Sequence, residues 1–134
     1  MRVKKSSRLM HNTIYKIGLV SENPTLTAEF YKDQFSYSEV ITPNISKGSI
    51  LLSGLAGPFL HIYPSEITEL ECGLHHISIA VEDVCSVILN MEKYGARRVE
   101  GFQKLLDAPS SVFMEDPEGI LLQIVSERDK LTEN

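Results

Sequence analysis

Two stretches of the chain alternate apolar and polar positions with a period of two: Ile14-Tyr15-Lys16-Ile17-Gly18-Leu19-Val20 and His75-His76-Ile77-Ser78-Ile79-Ala80-Val81. Alternation over this length predicts strands with one buried face. A helix start follows each. Asn23 is a good N-cap, and Pro24 suits the first helical position, where its missing N–H costs nothing. Asp83 caps the second helix in the same way. That helix carries Val84, Val87, Ile88, Met91 and Tyr94 at three- and four-residue spacings, one apolar face, and Gly95 then supplies a left-handed terminus. The first helix ends near Phe35 and has a weaker stripe through Leu26 and Phe30.

Three strands are expected after each helix. In the first copy they fall near Tyr37–Ile41, Ser49–Ser53 and Phe59–Tyr63, and in the second near Arg97–Phe102, Ser111–Glu115 and Ile120–Ser126. Turn residues join the last two strands of each set: Leu55-Ala56-Gly57-Pro58, then Asp116-Pro117-Glu118-Gly119. The chain therefore repeats a strand–helix–three-strand unit. The expected organisation is a tail over 1–12, a first βαβββ module over 13–66, an acidic exposed linker over 67–73, a second module over 74–127 and a tail over 128–134. Neither unit alone buries a comfortable core, so the two are expected to pack as one domain.

The segments HHISIAVEDV and FMEDPEGILLQIV are similar to the second half of glyoxalase and bleomycin-resistance proteins, and IYKIGLVSENPTLTAEFYKDQF is similar to their first half. The chain thus resembles the glyoxalase/bleomycin-resistance/extradiol-dioxygenase (vicinal oxygen chelate) superfamily over about Asn12–Glu127. The resemblance implies an α+β fold in which two tandem βαβββ modules form a curved mixed β-sheet cup. It also implies a ligand site inside the cup and a homodimer. Where such proteins hold a metal, the matching positions here are Lys16, His61, His76 and Gln123.

Local chemistry bears on that set. Gln123 lies in the apolar run Leu121-Leu122-Gln123-Ile124-Val125, and His61 in Phe59-Leu60-His61-Ile62-Tyr63. A buried amide or imidazole without a partner costs about 1–3 kcal/mol. The partner is a metal, a ligand, a neighbouring side chain or water. His61, His76 and Gln123 are the candidate metal ligands, for Zn, Ni, Mn or Fe. Yet no carboxylate stands among the four positions, and Lys16 beside a dication is repelled by several kcal/mol at about 5 Å and an effective dielectric of about 20.

Three readings follow. The first is a small-molecule-binding protein whose cup holds its ligand through Lys16, His61, Tyr63, His76, Phe113 and Gln123, with aromatic faces available for stacking. The second is a divalent-metal-dependent lyase, isomerase or dioxygenase acting on a substrate with vicinal oxygens, with Lys16 as the candidate catalytic base. The third is a cup filled by its own side chains. His75 is expected to point away from His76 by strand alternation, His11 to lie in the tail, Asp116 to cap its turn, and Cys85 to pack as a core thiol.

Composition changes this picture little. The 134 residues suit one domain, with 43% hydrophobic and 23% charged residues. A net charge of −5 argues against nucleic acid as partner. Arg2, Lys4, Lys5 and Arg8 crowd the start as a solvated tail, with no apolar run after them to make a secretory signal or a membrane span. Two cysteines without CxxC spacing suit a reduced, cytoplasmic protein.

Overall fold

A computed structural model describes residues 12–43 and 45–130. The basic start and His11 lie outside them, as do the last residues of the C-terminal tail. The first module comprises β1 (Thr13–Ser21), α1 (Pro24–Phe35), β2 (Ser38–Val40), β3 (Ile50–Ser53) and β4 (Phe59–Pro64). A helical turn, α2 (Ser65–Thr68), leads to the second module: β5 (Gly73–Val81), α3 (Val84–Lys93), β6 (Arg97–Val99), a short helix α4 (Phe102–Leu105), β7 (Val112–Glu115) and β8 (Leu121–Ser126).

Among the described residues, eight strands form one mixed sheet in the order β2-β3-β4-β1-β5-β8-β7-β6. Each module pairs its first strand parallel with its last, β1 with β4 and β5 with β8. The modules then meet through antiparallel pairing of β1 with β5. The sheet is therefore completed within one chain, and no second copy is needed to join the modules.

Capping chemistry sets both helix starts. Asn23 accepts a hydrogen bond from the Leu26 N–H at 3.1 Å, and Asp83 from the Ser86 N–H at the same distance. The Asp116 carboxylate accepts from the N–H groups of Glu118 and Ile120, holding the last hairpin turn, with Gly119 at φ +93°. That is the turn role expected for Asp116.

Residues paired across strands share a face. One face buries Ile17, Leu60, Leu52 and Ile62 against α1, and Ile79, Met114 and Ile124 against α3. The opposite face is the cup. Two ladders of paired residues cross it. The first runs Leu51–His61–Gly18–His76, and the second runs Phe59–Lys16–Ser78–Gln123–Phe113.

Several expectations are corrected. The strand expected to run to Phe102 stops at Val99, because Gly101 takes φ +106° and turns the chain into α4. The segment after it folds into the cup, where Leu106 and Ala108 pack on Val20, Tyr63 and Phe113. Part of the second module's half of the cup is thus filled by its own side chains. Tyr94 leaves the apolar stripe: it is the C-cap residue of α3 and is exposed. Cys85 is exposed rather than packed. The linker opens with α2, whose Thr68 is buried and donates to the Pro64 carbonyl.

Candidate functional site

Lys16, His61, His76 and Gln123 come together on the cup face, and all four are buried. His61 on β4 and His76 on β5 are both in register with Gly18 of β1, one on each side. The missing side chain makes room for an imidazole. A Cβ at Gly18 would lie 2.3 Å from the His76 ring, so the ring rests directly on the β1 backbone. Lys16 stands two residues along the same strand and face, beside Ser78 in register.

His61 is held by serines of the β2–β3 region. Its Nε2 lies 2.9 Å from Ser49 Oγ, and that hydroxyl donates its own proton to the Ser46 carbonyl at 2.7 Å. Ser49 Oγ also lies 2.8 Å from Ser46 Oγ, so the two serines and the ring form one hydrogen-bonded group. His61 Nδ1 has no hydrogen-bond partner among the described residues. The Tyr63 ring stacks on His61 with centroids 4.0 Å apart, and lies 5.9 Å from the His76 ring. The Tyr63 hydroxyl is likewise buried and without a partner among the described residues, as is His76 Nε2.

Gln123 is anchored at both ends. Ser78 donates to its Oε1 at 2.5 Å, and its Nε2 donates to Ser111 Oγ at 2.7 Å. Phe113 sits in the apolar cluster with Leu106 and Ala108 and meets His76 edge to face. Phe113 is thus part of the packed wall.

His75 does not turn away from His76. The two Nδ1 atoms lie 2.8 Å apart, one donating to the other, and the His75 ring also packs edge-on to Phe102. The cause is a bulge. Gly18 pairs with His76 and Leu19 with Leu74, leaving His75 as the extra residue whose side chain escapes the alternation.

Both cup imidazoles are held neutral. Burial lowers His61 well below the usual histidine range, helped by the Lys16 charge and by the cost of protonating it beside His76. Burial likewise takes His76 to about 3, with His75 and Lys16 adding to the effect and Gln123 opposing it. Burial raises the Tyr63 hydroxyl well above the usual tyrosine value, so it stays a neutral donor.

A cleft of about 220 Å³ opens beside the site, lined by Ser46, Lys47, Tyr63, Ile67, Leu105 and Asp107 among others. Tyr63 and Ser46 thus connect it to His61.

The donor set does not suit a tightly held divalent ion. Among the described residues no cluster of three or more His, Cys, Asp or Glu is placed to hold a metal. Of the three candidate ligands, Gln123 spends its oxygen on Ser78, which leaves two imidazole nitrogens beside a lysine. Sequence reading found Lys16, His61, Tyr63, His76 and Gln123 but not Ser49, Ser78, Gly18 or His75. Ser78 follows His76 by two on one strand face, and a glycine inside an alternating strand marks close approach of a neighbour; both signals were readable.

The paired modules and the eight-stranded sheet are the fold of the glyoxalase/bleomycin-resistance/vicinal oxygen chelate superfamily. Solved structures that share it include hypothetical protein BH1468 from Bacillus halodurans C-125, at TM-score 0.62 and 17% identity over 86% of this chain and 94% of that one. Methylmalonyl-CoA epimerase from Mycobacterium tuberculosis superposes at TM-score 0.57, with 17% identity over 84% of this chain and 86% of that one. A methylmalonyl-CoA epimerase solved with methylmalonyl-CoA and NH4+ matches at TM-score 0.56 and 18% identity, over 90% and 96%. No protein-family model and no curated protein matches the sequence. Among the described residues, no helix is long and apolar enough to cross a membrane.

Proposed function

We propose that this chain binds a small molecule in its cup and does so without a metal ion. One observation carries the reading: His61 Nδ1, the Tyr63 hydroxyl and His76 Nε2 are buried together with no hydrogen-bond partner among the described residues. Each such group costs about 1–3 kcal/mol when left unmet. Three of them, on rings 4.0 and 5.9 Å apart, are within reach of one small molecule. The lysine, the anchored glutamine and the aromatic wall then act as a preformed frame.

A second reading is a metal-dependent isomerase, lyase or dioxygenase on a substrate with vicinal oxygens. The likeness to methylmalonyl-CoA epimerases favours an isomerase among these. The absence of a carboxylate from the four cup positions speaks against it, because it leaves Lys16, which a dication repels, as the candidate base.

Elemental mass spectrometry of tag-free protein, before and after soaking with Zn²⁺, Ni²⁺, Mn²⁺ and Fe²⁺, separates the two. The first reading expects no stoichiometric ion, together with ligand-induced shifts at His61, Tyr63 and His76 in a small-molecule NMR screen. One ion per chain, lost in His76→Ala, overturns it in favour of the second.

A further inference from the structure

The cleft of about 220 Å³ beside Tyr63 has walls from both modules. The β2–β3 loop brings Lys47, the end of β4 and α2 bring Pro64 and Ile67, and the α4 segment brings Leu105 and Asp107. Lys47 and Asp107 are exposed and opposite in charge. Among the described residues neither side chain forms an ion pair or a hydrogen bond, with the other or with any third group. The cleft therefore holds a cation and an anion that do not close on each other. Both stand on fixed backbone. Gly48, next to Lys47, takes φ +76°, and a Cβ there would lie 2.8 Å from Ile67 Cδ1 and 3.1 Å from Pro64 Cγ, so the loop rests on the apolar wall. Asp107 takes φ +59° between Leu106 and Ala108, both fully buried.

We infer that this cleft binds a small apolar amino acid as its zwitterion. The carboxylate faces Lys47, the ammonium faces Asp107, and the side chain lies on Pro64, Ile67 and Leu105. The site is separate from the cup: neither His61 nor His76 lines it, and Tyr63, stacked on His61, is the wall between the two. Its volume falls below the roughly 300–1,000 Å³ of pockets for drug-sized molecules, which favours a single amino acid over a peptide. A ligand with one charge satisfies one wall only. Each exposed ion pair is worth a factor of up to about five, so selectivity needs both charges and weakens with salt.

The test titrates the full chain with leucine, with 4-methylpentanoate, which lacks the ammonium, and with 3-methylbutylamine, which lacks the carboxylate. Binding is followed by NMR shifts of the backbone amides at 46–48, 65–68 and 105–107. Leucine is expected to bind about threefold or more tightly than either analogue. Asp107→Asn, a residue that also tolerates positive φ, is expected to lose the advantage over 4-methylpentanoate. Lys47→Met is expected to lose the advantage over 3-methylbutylamine. Equal binding of the three probes overturns the inference, as does the advantage persisting in both folded variants. No shift at the cleft with leucine up to its solubility overturns it too. If leucine moves the His61 and His76 rings and not the cleft amides, it is a ligand of the cup, and the inference falls while the cup reading stands. Should a variant fail to fold, the three probes on the unmodified chain decide.

Discussion

The His76 ring lies against the backbone of Gly18, so close that a Cβ on Gly18 would come within 2.3 Å of it. The contact is with a ring held between two strands, and an added methyl has no room there. Gly18→Ala is therefore expected to destabilise the fold by about 1–3 kcal/mol through overpacking. It should also displace the His76 ring. Urea unfolding and the ring's NMR signals check this, and unchanged values of both would show that the ring has somewhere else to go.

Ser49 is hydrogen-bonded to His61 Nε2 at 2.9 Å. One tautomer is therefore expected to dominate at neutral pH, and the two ring nitrogens should differ clearly in chemical shift. In Ser49→Ala the two nitrogens should average toward similar shifts. A natural chain whose nitrogens already average would contradict that role.

Tyr63→Phe removes a buried hydroxyl without a partner among the described residues. The ligand-free protein should be equally stable or more stable, by about 1 kcal/mol, because an unmet polar group disappears. Binding of any cup ligand should weaken. A clear loss of stability would mean that the hydroxyl is satisfied in the free protein.

Gln123→Leu should have the opposite signature. The amide joins Ser78 to Ser111 across the cup floor, and an apolar side chain withdraws the acceptor that Ser78 uses. A loss of about 1–3 kcal/mol is expected in denaturant melts. A neutral result would assign the glutamine to ligand contact rather than to the frame.

Acid should unfold the protein through its histidines. His76 titrates at about 3 in the folded chain, and His61 is also shifted far down. In the unfolded chain both return to about 6.5. Between these limits the unfolded state binds protons that the folded state refuses, so stability falls as pH falls from about 6.5 toward 3. Each imidazole contributes a slope of up to about 1.4 kcal/mol per pH unit. Urea melts at several pH values should show the slope, reduced in His76→Gln. An unaltered slope in that variant would place the titrating groups elsewhere.

Much of this protein was determined by its sequence alone. Period-two alternation placed β1 and β5, and capping residues placed both helix starts, because these signals act within a few residues of chain. The repeat implied two modules, and the family resemblance pointed to Lys16, His61, His76 and Gln123 as cup positions. What the tertiary structure decided lies where a local rule meets a distant neighbour. His75 breaks the alternation because a bulge on β5, between the pairs Gly18–His76 and Leu19–Leu74, leaves it unpaired. Leu106 and Ala108 fill part of the cup because Gly101 turns the chain after β6. Gln123 is braced at both ends because Ser78 and Ser111, 45 and 12 residues away in sequence, converge on it. Such partners are chosen by strand register across the whole sheet, which no short stretch of sequence contains.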